Sequence, residues 1–339
     1  MYISIEKHIL EFIKPAKTSR GEYLEKPAYL LWIKDGNVSV CGEASPLHDL
    51  SIDGKIDLVE IVKPFENQKL TQQDLLDLLD SWKSYPSLRF ALFCCLEKLK
   101  VQGENKNIWV KNSFTSGIDG IKINGLVWMN DIDSMYQEAI EKIHLGFSCI
   151  KIKVGALDFD AECRLIERIR KQFNAFKIEL RLDANGGFSK DDALFQIKEL
   201  SRFEIHSLEQ PIKAYQPEMM GEICAKSKID IALDEELIGI NLDQSASLLS
   251  IISPKYIILK PTLLGGFDIC DQWISAASKQ NIGWWSTSAL EGNIGLSDIA
   301  QWVSTYKLSM PQGLGTGSLF VKNFPPKTKT LKENLFYIS

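Results

Sequence analysis

Two patterns of apolar and polar positions divide the chain. In the first part, apolar-rich runs at 29–34 and 38–44 flank Asp35-Gly36-Asn37, residues that suit a tight turn, and predict a hairpin. The strand-forming region extends to about residue 65, and two helices are predicted after it. Over 71–82, Leu75, Leu76, Leu79 and Trp82 share one face, and Thr71 with Asp74 makes a capping pair; the second helix spans 87–99. Strands followed by helices predict a separate N-terminal α+β module.

From about residue 120 the pattern becomes a strict alternation. Short β-rich runs occur at 122–128, 149–154, 178–183, 206–209, 231–234, 256–260, 282–286 and 307–312. Between them lie stretches with apolar residues at helical spacing, such as 133–145, 160–173, 189–200 and 268–279. The predicted class is α/β, with a (β/α)8-type barrel; alternation alone leaves a doubly wound sheet as the alternative.

Composition narrows the partners. A chain of 339 residues, 45% hydrophobic, can bury a large core, as one big domain or a large and a small one. A net charge of −5 argues against nucleic acid and anionic membranes, which want clustered Lys and Arg, and leaves small molecules. No apolar run reaches the roughly 18 residues of a membrane span. Residues 1–10 carry Glu6 and Lys7 and lack the apolar stretch of a signal peptide. The seven cysteines are scattered, without Cys-x-x-Cys or zinc spacing, so buried free thiols in a cytoplasmic setting are expected. The four histidines are too dispersed for a triad or zinc site, and His206, at the start of its strand, reads as structural.

Candidate chemistry comes from where the ionisable residues fall. Lys153, Asp183, Glu209, Asp234 and Lys260 each stand at or beside the end of successive predicted strands, about one β/α unit apart. Taken singly, such an Asp is commonly a helix cap, a Glu solvated and a Lys on the surface. Three carboxylates in three successive units instead call for a cation between them, because together they would repel and take up protons. Oxygen ligands without His or Cys favour Mg²⁺, with Mn²⁺ as substitute. Lys151 and Lys153 project to one face of their strand, where mutual repulsion and burial lower their pKa and make one a competent base. Lys260 comes from the far side of the ring. A small-molecule carboxylate held between lysines could lose the proton α to its carboxylate. Residues 313–317 lack dinucleotide or phosphate-loop spacing, and Gly313 reads as part of a tight loop where backbone nears the substrate.

These residues resemble the enolase superfamily, in its muconate-lactonising-like branch, over essentially the whole chain. The matching segments are Lys151-Ile152-Lys153-Val154-Gly155, Leu182-Asp183-Ala184-Asn185-Gly186, Leu208-Glu209-Gln210-Pro211, Leu233-Asp234-Glu235 and Leu259-Lys260-Pro261. The resemblance implies metal ligation by Asp183, Glu209 and Asp234, and catalysis by Lys153 and Lys260 with Lys151 beside them. It also implies a capping domain at 1–115 whose loop at 17–23 closes over the substrate. The barrel would occupy 116–339, with its C-terminal segment returning to the cap. Segments 124–128, 287–295 and 312–317 imply dehydration of a succinyl-substituted hydroxycyclohexadiene carboxylate, through an enediolate on the metal. N-acylamino-acid racemisation or dipeptide epimerisation is the alternative, and a non-catalytic binding barrel is a third reading. Asn185, Ser288, Leu290 and Gly313 are the expected substrate contacts, with backbone N–H groups of the 286–295 loop on the succinyl carboxylate. In that loop the family often reads Ser-Ser-Ala-Leu-Glu-Ser, whereas Gly292 follows Glu291 here.

Overall fold

The computed structural model describes residues 1–101 and 107–338. The N-terminal module opens with a long antiparallel hairpin of β1 (Tyr2–Thr18) and β2 (Gly21–Asp35), bulged between Glu11 and Ala16, and continues into β3 (Val38–Ala44). The turn into β3 falls where the sequence puts it: Asp35 pairs with Val38, and Gly36 takes φ of 57°, which a Cβ would strain. β1 has no continuous apolar run. Its Ile3 and Ile5 bury on one face against the helices of the module, and Leu10 and Phe12, of opposite parity in an unbroken register, bury on the other face in a separate cluster with Ile238, Leu263 and Phe320.

Helices α1 (Leu58–Val62), α2 (Gln72–Ser81) and α3 (Pro86–Lys100) complete the module. Thr71 caps α2 in the predicted way: its hydroxyl accepts from the Asp74 N–H, and the Asp74 carboxylate accepts from the Thr71 N–H at 2.7 Å. Leu75 of α2 and Leu88 and Leu92 of α3 bury against Leu31 and Ile33 of the sheet.

The rest of the chain builds the barrel. A short β4 (Ile121–Lys122) leads to β5 (Gly125–Val127), α4 (Ile132–His144), β6 (Cys149–Lys153), α5 (Phe159–Gln172), β7 (Glu179–Asp183), α6 (Ala193–Leu200) and β8 (Ser207–Glu209). Then come α7 (Pro217–Lys226), β9 (Asp230–Leu233), α8 (Ser245–Ile252), β10 (Tyr256–Leu259), α9 (Pro261–Leu264), α10 (Phe267–Ser278), β11 (Gly283–Ser286) and α11 (Asn293–Val303). β5 to β11 form one parallel sheet in sequential order. Ile150, Ile152, Leu180, Leu182 and Leu208 face the helices in the core, so the alternate residues Lys151, Lys153, Asp183 and Glu209 turn inward.

The expected eighth strand at 307–312 does not form. Instead Gln312 and Gly313 make isolated parallel bridges to Ile123 and Thr287, and these close the barrel. Pro311 has no N–H to give a longer ladder. The run expected at 122–128 is also split, because β4 leaves the barrel to pair with β13 (Asn334–Tyr337), itself paired with β12 (Thr328–Leu331). Residues 319 and 321 bond to the backbone of Ile13 and Glu11 in β1.

At the other end of the barrel, His206 stacks on Tyr256 at 5.3 Å and the Arg181 guanidinium lies 4.4 Å from the Trp285 ring centre. All seven cysteines are free, and six are buried. Among the described residues no helix is long and apolar enough to cross a membrane.

Candidate active site

Strand register assembles the ring. Lys153 of β6 pairs with Asp183 of β7, which pairs with Glu209 of β8. Lys153 Nζ donates to Asp183 at 2.5 Å and to the Asn185 side-chain oxygen at 2.7 Å. Lys151 Nζ, two residues earlier on the same face, donates to Asp183 and to Glu209, each at 3.0 Å. Asp234 and Lys260 lie one residue beyond β9 and β10 and form an ion pair with each other. All six side chains are buried. Among the described residues no three acidic, thiol or imidazole groups stand in an arrangement that could hold a metal ion. Lysine ammonium groups engage all three carboxylates instead.

Burial and neighbours drive the two strand-mates apart. For Lys151 burial works downward, but Glu209, Asp183 and Asp234 outweigh it and raise its pKa. For Lys153 burial dominates; the Asp183 charge opposes it only in part, Lys151 and Lys260 add to it, and the group falls below the ordinary lysine value. Lys260 moves up, because Asp234, Glu235 and Glu209 together overcome its burial. Asp183 is held well below the carboxylate range despite its burial, by Lys153, Lys151 and Lys260. Glu209 is pushed up by burial and by the charges of Asp183 and Asp234.

By chemistry, though not by the spacing its carboxylates have here, the donor set suits a hard divalent cation. It is all oxygen, it crowds Asp183 and Asp234 so close to the buried Glu209 that their charges add to burial in pushing that carboxyl up, and next to it Glu235 Oε2 is buried without a partner among the described residues.

Several neighbours that residue-by-residue reading passes over hold the ring in place. Gln210, at φ of 39°, turns the chain after Glu209, and its side-chain oxygen accepts from the Asp234 N–H at 3.1 Å. Asn185, an expected substrate contact, is engaged on both sides: it accepts from Lys153, and its Nδ2 donates to Glu235 at 3.0 Å. Glu235 in turn pairs with Arg20 at the tip of the β1–β2 hairpin. Beside it Ser19 donates to the Ala184 carbonyl at 2.7 Å, so the cap reaches onto the barrel mouth. Arg20 lies in the loop at 17–23 expected to close over the substrate, but its pairing with Glu235, 215 positions away, carries no sequence signal. Gln210 and Glu235 sit inside the motifs quoted above.

Ser288, Leu290, Gly313 and Asn185 all line one cavity together with Lys151, Lys153 and Lys260. In the loop after β11, whose backbone N–H groups the resemblance assigns to the succinyl carboxylate, several of those groups have partners inside the protein. The Ala289 N–H donates to Glu291 at 2.8 Å, the Leu290 N–H to Ser288 Oγ at 2.9 Å, and the Gly292 and Gly295 N–H groups to Glu43 of β3. Ser288 Oγ itself donates to Glu291 at 2.6 Å. The buried carboxylates of Glu291 and Glu43 and the Ser288 hydroxyl hold these donors.

Residues 134–317 match the family described as enolase C-terminal domain-like, and the chain belongs to that family. Over nearly its whole length it is similar to the o-succinylbenzoate synthase of Desulfotalea psychrophila, with 40% identity covering 96% of each chain. The crystal structure of MenC from Desulfotalea psychrophila superposes with a TM-score of 0.85 at 35% identity, covering 99% of this chain and 100% of that one. The dipeptide epimerase of Enterococcus faecalis, complexed with Mg and L-Leu-L-Tyr, superposes with a TM-score of 0.84, covering 100% and 96% of the two chains. At 18% identity that likeness speaks for the fold alone.

Proposed function

We propose that the chain is a lyase that removes water from 2-succinyl-6-hydroxy-2,4-cyclohexadiene-1-carboxylate and releases o-succinylbenzoate in menaquinone biosynthesis. The observation that carries this reading is full-length similarity to an o-succinylbenzoate synthase; the buried Lys153 and Lys260, on strands separated by the carboxylate ring, supply the matching chemistry.

In this reading Lys153, the lysine whose pKa burial lowers, takes the ring proton α to the carboxylate as a free amine. The same group, now an ammonium, returns that proton to the departing hydroxyl, which leaves as water while the ring becomes aromatic. Lys260 keeps its proton and sets a positive charge against the electron-rich ring. Lys151 also keeps its proton and steadies Asp183 and Glu209. Asn185 aims Lys153, and Ser288, Leu290 and Gly313 wall the substrate. Asp183, Glu209 and Asp234 would hold Mg²⁺, or Mn²⁺ in its place. When bound, the ion supplies fixed positive charge for the substrate carboxylate as it gains electron density. We further assign 1–115 to the cap and 116–339 to the barrel, and a cytoplasmic location in keeping with the free cysteines.

Purified protein assayed side by side with the cyclohexadiene carboxylate and an N-succinylamino acid tests the reading. Dehydration should predominate, stop with EDTA and return with added Mg²⁺. Racemisation without dehydration would overturn the lyase assignment in favour of its racemase alternative, and indifference to EDTA would remove the metal.

A further inference from the structure

Three polar atoms at the barrel's closure stand without a partner among the described residues. Asn124 Oδ1, Thr287 Oγ1 and Thr316 Oγ1 are the atoms, all buried, on residues only 3%, 7% and 5% exposed. An unmet buried polar group costs on the order of 1–3 kcal/mol, so three in one wall call for an explanation. They belong to neighbouring segments. The Asn124 N–H donates to the Gln312 carbonyl at 2.9 Å, Thr287 bridges to Gly313, and Thr316 follows three residues on. All three residues line the cavity that contains Lys153 and Lys260. Gly313 keeps this wall bare, for a Cβ there would fall 2.2 Å from Thr287 Oγ1.

The geometry points to a hydrogen-bonding subsite, formed by Asn124, Thr287 and Thr316, for the neutral carbonyl of an acyl arm on the substrate. Two hydroxyls can donate to a carbonyl oxygen, and the Asn124 oxygen can accept from an N–H or a water beside it. A neutral group fits this wall because the three unmet atoms are themselves uncharged, two hydroxyls and an amide oxygen. The subsite therefore recognises what a succinyl-substituted ring and an N-succinylamino acid share. The choice of arm rests on the lyase reading above.

The test compares ligands that differ only at that carbonyl. With Mg²⁺ present, titration calorimetry of wild type, Thr287→Val and Thr316→Val would use o-succinylbenzoate and 2-(3-carboxypropyl)benzoate, in which CH₂ replaces the ketone. Wild type should prefer the ketone by roughly two- to ten-fold, the range of one ordinary hydrogen bond, and either variant should lose the preference. Valine matches threonine in shape and removes an unbonded hydroxyl, so thermal stability should hold or rise; a purely structural role would lower it. Equal preference in wild type and variants overturns the subsite and leaves the lyase reading standing. If wild type binds neither benzoate, the lyase reading fails. N-succinylphenylglycine and its N-(3-carboxypropyl) analogue then decide the subsite by the same ratio, and binding of neither pair overturns it too.

Discussion

Lys151 and Lys153 sit two positions apart on one strand, carry the same side chain and meet different neighbours. Lys151 lies between two carboxylates and keeps its proton; Lys153 shares one carboxylate with it, faces a neutral amide and is drawn downward by burial. Lys153→Ala should cut dehydration by about 10²–10⁴-fold or more, the scale of a lost general base, in steady-state assays. Its melting temperature should change little, since Asp183 still has Lys151. Turnover at the wild-type rate would sink the assignment of the base. That both lysines enter the barrel was legible from the two-residue period of a strand. Which of them has its pKa lowered was not, because burial and partners from other strands decide it.

At the level of elements, α11 shows a local preference overruled by packing. By propensity Ser is a better N-cap than Gly, and the family often has Ser where Gly292 stands. A Cβ on Gly292 would meet the Phe324 ring at 2.8 Å and Asn323 Oδ1 at 3.0 Å. The first turn needs no cap from its own residue, since Glu43 accepts from the N–H groups of Gly292 and Gly295, and Asn323 accepts from that of Asn293. Gly292→Ser should therefore destabilise the protein by about 1–3 kcal/mol in urea unfolding, the usual cost of overpacking. Adding Phe324→Ala should recover part of the loss. A single variant more stable than wild type would show that the cap outweighs the clash. The same loop has a partner the sequence hides: Glu291 is nearby in the chain, whereas Glu43, some 250 positions away, folds onto the helix start.

Across the whole molecule, buried charges join the two modules. Lys98 of α3 pairs with Asp298 of α11 at 2.6 Å, and Lys26 of β2 donates to the carbonyls of Ser45, Ala289 and Leu290. Burial pulls Lys26 down to about 8, with Glu291 and Glu43 opposing it. Below that pH folded and unfolded chains both hold this proton, and the cost of burying the charge is present in full. Between about 8 and 10.5 the folded chain has released it while the unfolded chain has not, so stability from this site rises with pH. Urea unfolding of wild type and Lys26→Met across that window should show wild type gaining on the variant as pH rises. A gap independent of pH would contradict the shift.

The sequence by itself determined the kinds of functional group and their order. Strand period and β/α spacing put two lysines on one inward face and three acids and a third lysine at strand ends, since these depend only on residues near in the chain. The capping pair of α2 and the turn before β3 were legible for the same reason. Tertiary structure alone decided the closure at Gln312 and Gly313, where Pro311 stops a strand, and the pairing of Arg20 with Glu235. It also decided the downward pKa shift of Lys153, the bonding of the loop after β11 and the trio of Asn124, Thr287 and Thr316 that has no partner among the described residues. Each of these is a balance of burial and partners drawn from distant segments, and such a balance exists only once the chain has folded.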